Sequence, residues 1–212
     1  MRQRHIRNRE DILRDCGGYI VEDPKSMKGH WLDLFPGCEG LYLEIGSGKG
    51  QFISGMAERY PRRAFLACEG QFNVYPRILQ KIGAKGLENL RLISEYITDP
   101  CDLFEDGELD GIYLNFSDPW KKRTANRRLT YRGKLEGYKR ICKSGAFLQF
   151  KTDNEELFDY SLEELAAADL VPAAVERDLH SSPLADNNIV TEYEEKFASQ
   201  GIKIKYFLVN FT

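Results

Sequence analysis

The 212-residue chain contains no pair of cysteines at metal-binding or redox-motif spacing. Its five cysteines, Cys16, Cys38, Cys68, Cys101 and Cys142, are scattered and odd in number, and no C-x-x-C occurs. That removes zinc-ribbon and thioredoxin-like readings and points to reduced thiols in a cytoplasmic protein. The three histidines, His5, His30 and His180, are too far apart for a local metal motif, so no metal is expected. No apolar run approaches the roughly 20 residues that cross a bilayer. The opening "MRQRHIRNR" has no apolar signal core, and no membrane partner is expected. Repeats, low-complexity tracts and long linkers are also missing, so residues 1–212 read as a single domain. Residues 1–15, with five arginines, form a basic arm.

What is present is ordinary for a globular protein: 42% hydrophobic residues, 30% charged residues and a net charge of −3. Such a length buries a sizeable core without a metal or disulfide staple. Against this mildly acidic background one stretch stands out. From Lys121 to Lys134 there are seven Lys or Arg residues and no Asp or Glu.

Short apolar runs that stop at glycine or acid predict strands at 40–45, 63–70, 89–96, 110–118, 146–154, 171–178 and 203–211. Helical spacing predicts helices at 51–60, 73–86 with Pro76 near the start, 130–145 with Gly145 as the stop, and 155–170. Strands alternating with helices imply an α/β fold, a mostly parallel sheet with helices on both faces. Ligands of such sheets bind outside the carboxyl ends of the strands.

The first strand runs into "LEIGSGKGQF", a G-x-G-x-G loop at Gly46, Gly48 and Gly50 preceded by Glu44. The loop is not the dinucleotide fingerprint, because Gln51 stands where the third glycine belongs. Glu69 ends the second strand near the spacing at which a carboxylate meets a ribose diol. An acid at Glu44 sits badly beside a pyrophosphate but suits a cofactor with a cationic amino-acid end, such as S-adenosylmethionine. A plain glycine turn with a solvated Glu69 is the alternative. The fourth strand delivers Asp118, after which Pro119 forces the chain out of the sheet. Trp120 then offers a face either to the core or to a base. The basic run begins immediately afterwards, as a stripe beside a cleft would to hold a phosphodiester backbone, although such runs also occur as solvated faces.

Together "EIGSGKGQFI", "YLNFSDPWKKR", "RRLTY", "FKTDN" before "LFDYSLE", and "TEYEEKF" give the chain a resemblance to the bacterial tRNA (guanine-N(7)-)-methyltransferase family. The resemblance covers nearly the whole length. It implies a Rossmann-like class I methyltransferase sheet of seven strands with the last antiparallel, S-adenosylmethionine as cofactor, and tRNA as partner, methylated at N7 of a variable-loop guanine. By the same resemblance Glu44, Gly46, Gly48, Glu69, Glu95, Tyr96 and Asp118 lie at the cofactor, with Asp118 at the reaction centre. Lys122, Arg123, Arg127, Arg128, Asp153, Thr191, Glu192, Tyr193 and Glu194 lie on the RNA side, in a monomer or homodimer.

Three departures stand out. Tyr96, beside Glu95, occupies the place of the family's usual Asp at the third strand end. The proline between Trp120 and the lysines is missing, which leaves both Lys121 and Lys122 as candidates for the family lysine. Thr124 replaces a common histidine. A weakly active or non-catalytic RNA-binding protein of the same fold is the alternative that Tyr96 and the deletion leave open. A small-molecule methyltransferase is another, though it leaves the basic run without a purpose.

Overall fold

The computed structural model describes residues 8–212, so the first seven residues of the expected arm lie outside the described residues. The chain divides into two compact units, one ending at Thr98 and the other running from Asp99 to Thr212. Its seven strands form a sheet of order β3-β2-β1-β4-β5-β7-β6.

In the first unit, α1 (Arg9–Cys16) buries only Ile12. It is followed by β1 (Leu41–Ile45), α2 (Gln51–Arg59), β2 (Ala64–Cys68), α3 (Pro76–Lys85) and β3 (Leu90–Ile93). β2 lies parallel to both β1 and β3, with Leu43 opposite Leu66 and Ala67 opposite Leu92. All five β2 residues are buried, as expected of a parallel strand covered on both faces. Pro76 opens α3, where its missing N–H costs nothing, and Gly86 closes the helix at φ 61°.

The second unit comprises β4 (Leu109–Asn115), α4 (Arg132–Ile141), β5 (Cys142–Thr152), α5 (Glu155–Ala167), β6 (Pro172–Glu176), α6 (Glu192–Ala198) and β7 (Lys205–Asn210). β4 and β5 are parallel, whereas β7 runs antiparallel to both β5 and β6. The antiparallel last strand is therefore as expected. Phe150 of β5 stacks on Phe207 of β7, at 4.9 Å between ring centroids, and on Phe158 of α5, at 6.5 Å. This triad seats α5 on the sheet.

The differences from the expected elements are local: β3 stops at Ile93 rather than residue 96, β4 at Asn115 rather than Asp118, and α5 at Ala167 rather than Leu170. α4 stops at Ile141 rather than at Gly145, because Cys142 is already extended and pairs with Leu109. Gly145 instead turns the chain at φ 85° within an irregular stretch of β5, before Phe147 aligns with Gly111. α6 was not among the expected elements, although its capping box, Thr191 with Glu194, is legible as T-x-x-E.

Gly50, at φ 75°, caps α2 and sets where the glycine loop becomes helix. A Cβ there would lie 2.9 Å from Ile78 Cγ1, in a backbone region that L residues resist. Gly50→Ala is expected to destabilise the protein by about 2–4 kcal/mol from strain and overpacking together. Urea unfolding of the two proteins, compared at equal m-value, checks this.

Candidate active site and nucleic-acid face

The glycine loop is built by hydrogen bonds from β2. Cys68 O accepts from both Gly46 N and Ser47 N, each at 2.9 Å, while Ser47 Oγ accepts from Cys68 N at 3.1 Å. Glu69 closes the arrangement. Its Oε2 accepts from Gly48 N at 2.9 Å and its Oε1 from Gln71 N at 2.8 Å. Glu44 and Glu69 are both buried, at 2% and 9% exposure, so two carboxylates are held out of bulk water at this loop. Of the sequence-predicted residues, Gly48 and Glu69 are thus in direct contact.

The loop is open on its far side: a Cβ on Gly46 or Gly48 would meet no atom within 4 Å. Backbone N–H groups, buried acids and free space fit the amino-acid and ribose parts of S-adenosylmethionine. Glu44 and Glu69 are the residues that would hold it. Burial pushes the Cys68 thiol up to about 12. It therefore stays protonated at neutral pH and is a packing group rather than a nucleophile.

Beyond β3, Glu95 is exposed and offers its carbonyl to Cys68 Sγ at 3.1 Å. Tyr96 is 70% exposed. Its ring lies against the backbone of Gly70, where a Cβ would be 2.5 Å from ring carbons. Any side chain at residue 70 would displace that ring.

In the second unit β4 ends at Asn115, and Phe116 then adopts φ 54°. A bulky residue in the left-handed region is strained. Here the strain is held by Phe116 N donating to Lys151 O at 2.8 Å. This turn carries Asp118, Pro119 and Trp120 to the surface, where all three are exposed.

The basic run divides. Lys121, Lys122, Arg123 and Arg127 are exposed. Arg128 is placed otherwise than expected for a phosphate-gripping residue. It is 4% exposed, its Nε donates to Trp120 O at 2.7 Å, and its guanidinium lies 4.3 Å from the Tyr160 ring centre. Its Nε holds the chain where it leaves β4, and its Nη2 lies 3.6 Å from Oε1 of the exposed Glu156. Arg132, its side chain largely exposed, grips the buried Glu164 through Nε at 3.1 Å and Nη2 at 2.8 Å, while its backbone N–H donates to the same carboxylate at 2.6 Å. That Arg132 pairing outweighs burial and holds the Glu164 carboxyl below its usual range.

Of the remaining residues expected on the RNA side, Glu194 meets a lysine that the sequence had not singled out. Lys151, with no exposed surface, donates to Glu194 Oε2 at 2.7 Å, Asn188 Oδ1 at 2.9 Å and Ile189 O at 3.0 Å. Glu194, also fully buried, accepts further bonds from Asn188 Nδ2 and, at 2.8 Å, shares one with His180 Nε2. Thr191 caps α6 with its hydroxyl accepting from Glu194 N at 2.9 Å. Glu194 is therefore the internal fastening of the segment, Tyr193 is its exposed aromatic at 47%, and the Glu192 side chain lies outside the described residues. Asp153, half-buried, follows β5, with its carbonyl held by Lys205 Nζ at 3.0 Å. The available signal for Lys151 was a lysine next to Phe150 in the apolar half of a strand expected to be buried.

Among the described residues no helix is long and apolar enough to cross a membrane, and no cluster of three His, Cys, Asp or Glu side chains could hold a metal. The five cysteines are free thiols.

Burial raises the Glu194 carboxyl, but Lys151 and the bonds from His180 and Asn188 bring it below its ordinary 4.5. A depressed acid stabilises the fold fully above its unfolded value, and the contribution is lost as pH falls through the folded value. Glu194→Gln, which strands the Lys151 charge, is expected to cost about 3–5 kcal/mol at pH 7. The gap between parent and variant should narrow below about pH 4.5. Chemical unfolding across pH 3–7 (roughly the range the linkage spans) reads both effects.

Residues 39–207 match a family model described as "Putative methyltransferase". The chain is 46% identical to the tRNA (guanine-N(7)-)-methyltransferase of Lacticaseibacillus casei (strain BL23), over 91% of this chain and 90% of that protein. It is 42% identical to the enzyme of the same name from Geobacillus kaustophilus (strain HTA426), over 96% and 94%. Among solved structures it is similar to an antibiotic-related methyltransferase, with TM-score 0.64, 18% identity, and 89% and 94% of the two chains covered. It is also similar to the 16S rRNA methyltransferase KamB, with TM-score 0.62, 14% identity, and 87% and 93% covered. At those identities the structures show the fold alone. On the sequence relationship, carried over nine-tenths of its length, the chain belongs to the tRNA (guanine-N(7)-)-methyltransferase family.

Proposed function

We propose that this protein is an S-adenosylmethionine-dependent enzyme that methylates N7 of a guanine in tRNA. The observation that carries the reading is the family relationship over nine-tenths of the chain. The structure supports it with two features. One is an open glycine loop flanked by buried acids in the first unit. The other is an exposed acid followed by exposed cations in the second. The family match runs through both units, which supports reading them as one methyltransferase domain. We place the protein in the cytoplasm, with its substrate.

When bound, the cofactor supplies a methyl group activated by a sulfonium. Guanine N7 carries an in-plane lone pair and no proton, so no general base is needed to expose the nucleophile. The protein's work is alignment and charge. Each oxygen of Glu69 accepts one N–H in the bonds described above. A carboxylate has about four acceptor sites, which leaves capacity for ribose hydroxyls. Glu44 faces the cationic amino-acid end, and Tyr96 or Glu95 meets the adenine amine. Asp118 accepts from guanine N1–H or its exocyclic amine. That selects guanine and offsets the positive charge that grows on the ring at methylation. Lys122, Arg123 and Arg127 contact phosphates. Asp153 and Tyr193 meet the RNA, on a segment that Thr191 and Glu194 hold in shape. The absence of a Ser-His-Asp or Cys-His constellation from this account follows from the chemistry.

Mass spectrometry of unmodified tRNA after incubation with the protein and isotopically labelled cofactor tests the reading, and 7-methylguanosine is the expected product. Asp118→Asn keeps the shape and removes the charge. It is expected to slow single-turnover methyl transfer at saturating tRNA by about 10²-fold or more, with a smaller effect on tRNA binding.

The cations should separate in salt titrations of tRNA binding. Arg127→Ala is expected to lower the slope of log affinity against log salt by about 1, as loss of one phosphate contact does. Arg128→Ala should instead appear as a loss of stability, because its guanidinium is spent on Trp120 O and Tyr160.

A further inference from the structure

Trp120 is a large apolar side chain left 39% exposed by a protein that buries its other tryptophan, Trp31, completely. The exposure is built in. Pro119 stiffens the chain before it, and the buried Arg128 clamps the Trp120 carbonyl at 2.7 Å. Arg128 itself is layered on Tyr160. The backbone beneath the indole is therefore anchored to the body, while the ring stays outside. Arg127, exposed, lies with its guanidinium carbon 5.1 Å from the indole centre. Lys121, Lys122 and Arg123 follow on the surface, and no acid occurs between residues 121 and 134.

An exposed aromatic bearing a stacked arginine and followed along the chain by exposed cations is the arrangement that takes a nucleobase on its face and phosphates at its rim. We propose that Trp120, with Arg127 layered against it, is a stacking platform for an unstacked base of the RNA substrate. This rests on the reading of tRNA as substrate and adds a positioning group beside Asp118. Stacking is sequence-tolerant because every base has a π-face, so the platform places the strand while Asp118 selects guanine. A docked protein would also cover an aromatic, but the charge around this one favours a polyanion.

The two tryptophans make the test direct, since only one can be reached by solvent. Acrylamide quenching of the parent protein is expected to show one accessible tryptophan, which saturating tRNA protects. Trp120→Phe should remove that accessible population. Trp120→Ala is expected to weaken tRNA binding by about 5- to 150-fold, the range measured for loss of one stacked base. Its salt slope should be unchanged, which distinguishes stacking from a phosphate contact, and Trp120→Phe should recover most of the affinity. Continued quenching in the saturated complex, or parent-like tRNA affinity in a folded Trp120→Ala protein, would overturn the proposal. Protection that appears on concentrating the protein without RNA would point to self-association and overturn it too. A parent that methylates tRNA while Trp120 stays accessible removes the platform alone. A parent that neither binds nor methylates tRNA removes the functional reading with it.

Discussion

A lysine with no exposed surface, Lys151, constrains the second unit. Moving an ammonium out of water costs several kcal/mol unless its charge is met and its three protons are accepted. Lys151 has all of this: a carboxylate from Glu194, an amide oxygen from Asn188 and the backbone carbonyl of Ile189. None of these partners lies on a neighbouring strand. They come from α6 and the segment leading into it, which are drawn onto the end of β5. The short helix, its capping box and the exposed Tyr193 hold their place because a buried charge needs them there.

The first unit meets an equivalent problem with the opposite sign. Glu69 is a buried carboxylate satisfied by backbone N–H groups, one of them from the glycine loop. Glycine is favoured at Gly48 because the backbone there is left-handed, at φ 55°, and the space beyond it is open. The acid thus has two uses, shaping the loop and facing whatever occupies that space. Changing Glu69 would alter both together, so a loss of cofactor affinity would carry a contribution from loop disorder.

The basic run shows why a count of charges is a poor guide to an interface. Seven cations lie between residues 121 and 134. Arg128 is consumed inside the fold on a carbonyl and a tyrosine ring, while Arg132, its side chain still largely exposed, is committed to the buried Glu164. Arginine suits this work because its planar fork satisfies several acceptors at once and is weakly hydrated. The outward-facing cations gain their arrangement from the inward-facing ones, since Arg128 sets the position of the Trp120 backbone. A protein can therefore lose RNA binding through a residue that touches no RNA.

Much of this was legible without coordinates. The alternation of apolar runs with helical spacing determined the α/β class, because strand and helix periods are local properties of the chain. The glycine loop and Glu69 were visible as strand ends, since the residue that stops a strand is also the one left at its edge, whereas Asp118 was expected to end a strand that stops at Asn115 and lies on the turn beyond it. The clustered motifs determined the family. Tertiary structure alone decided that α4 ends at Ile141, because strand pairing of Cys142 with Leu109 overrode a helical pattern that continued to Gly145. It alone decided that Arg128 is an anchor while Arg127 is a surface cation. The two are adjacent and chemically identical in the sequence, and they differ only in which side of the chain meets Trp120 O and Tyr160. It alone showed Lys151 and Glu194, 43 residues apart, as one buried pair. Burial of a charge is a property of the surroundings, and distant parts of the chain supply those only once it has folded.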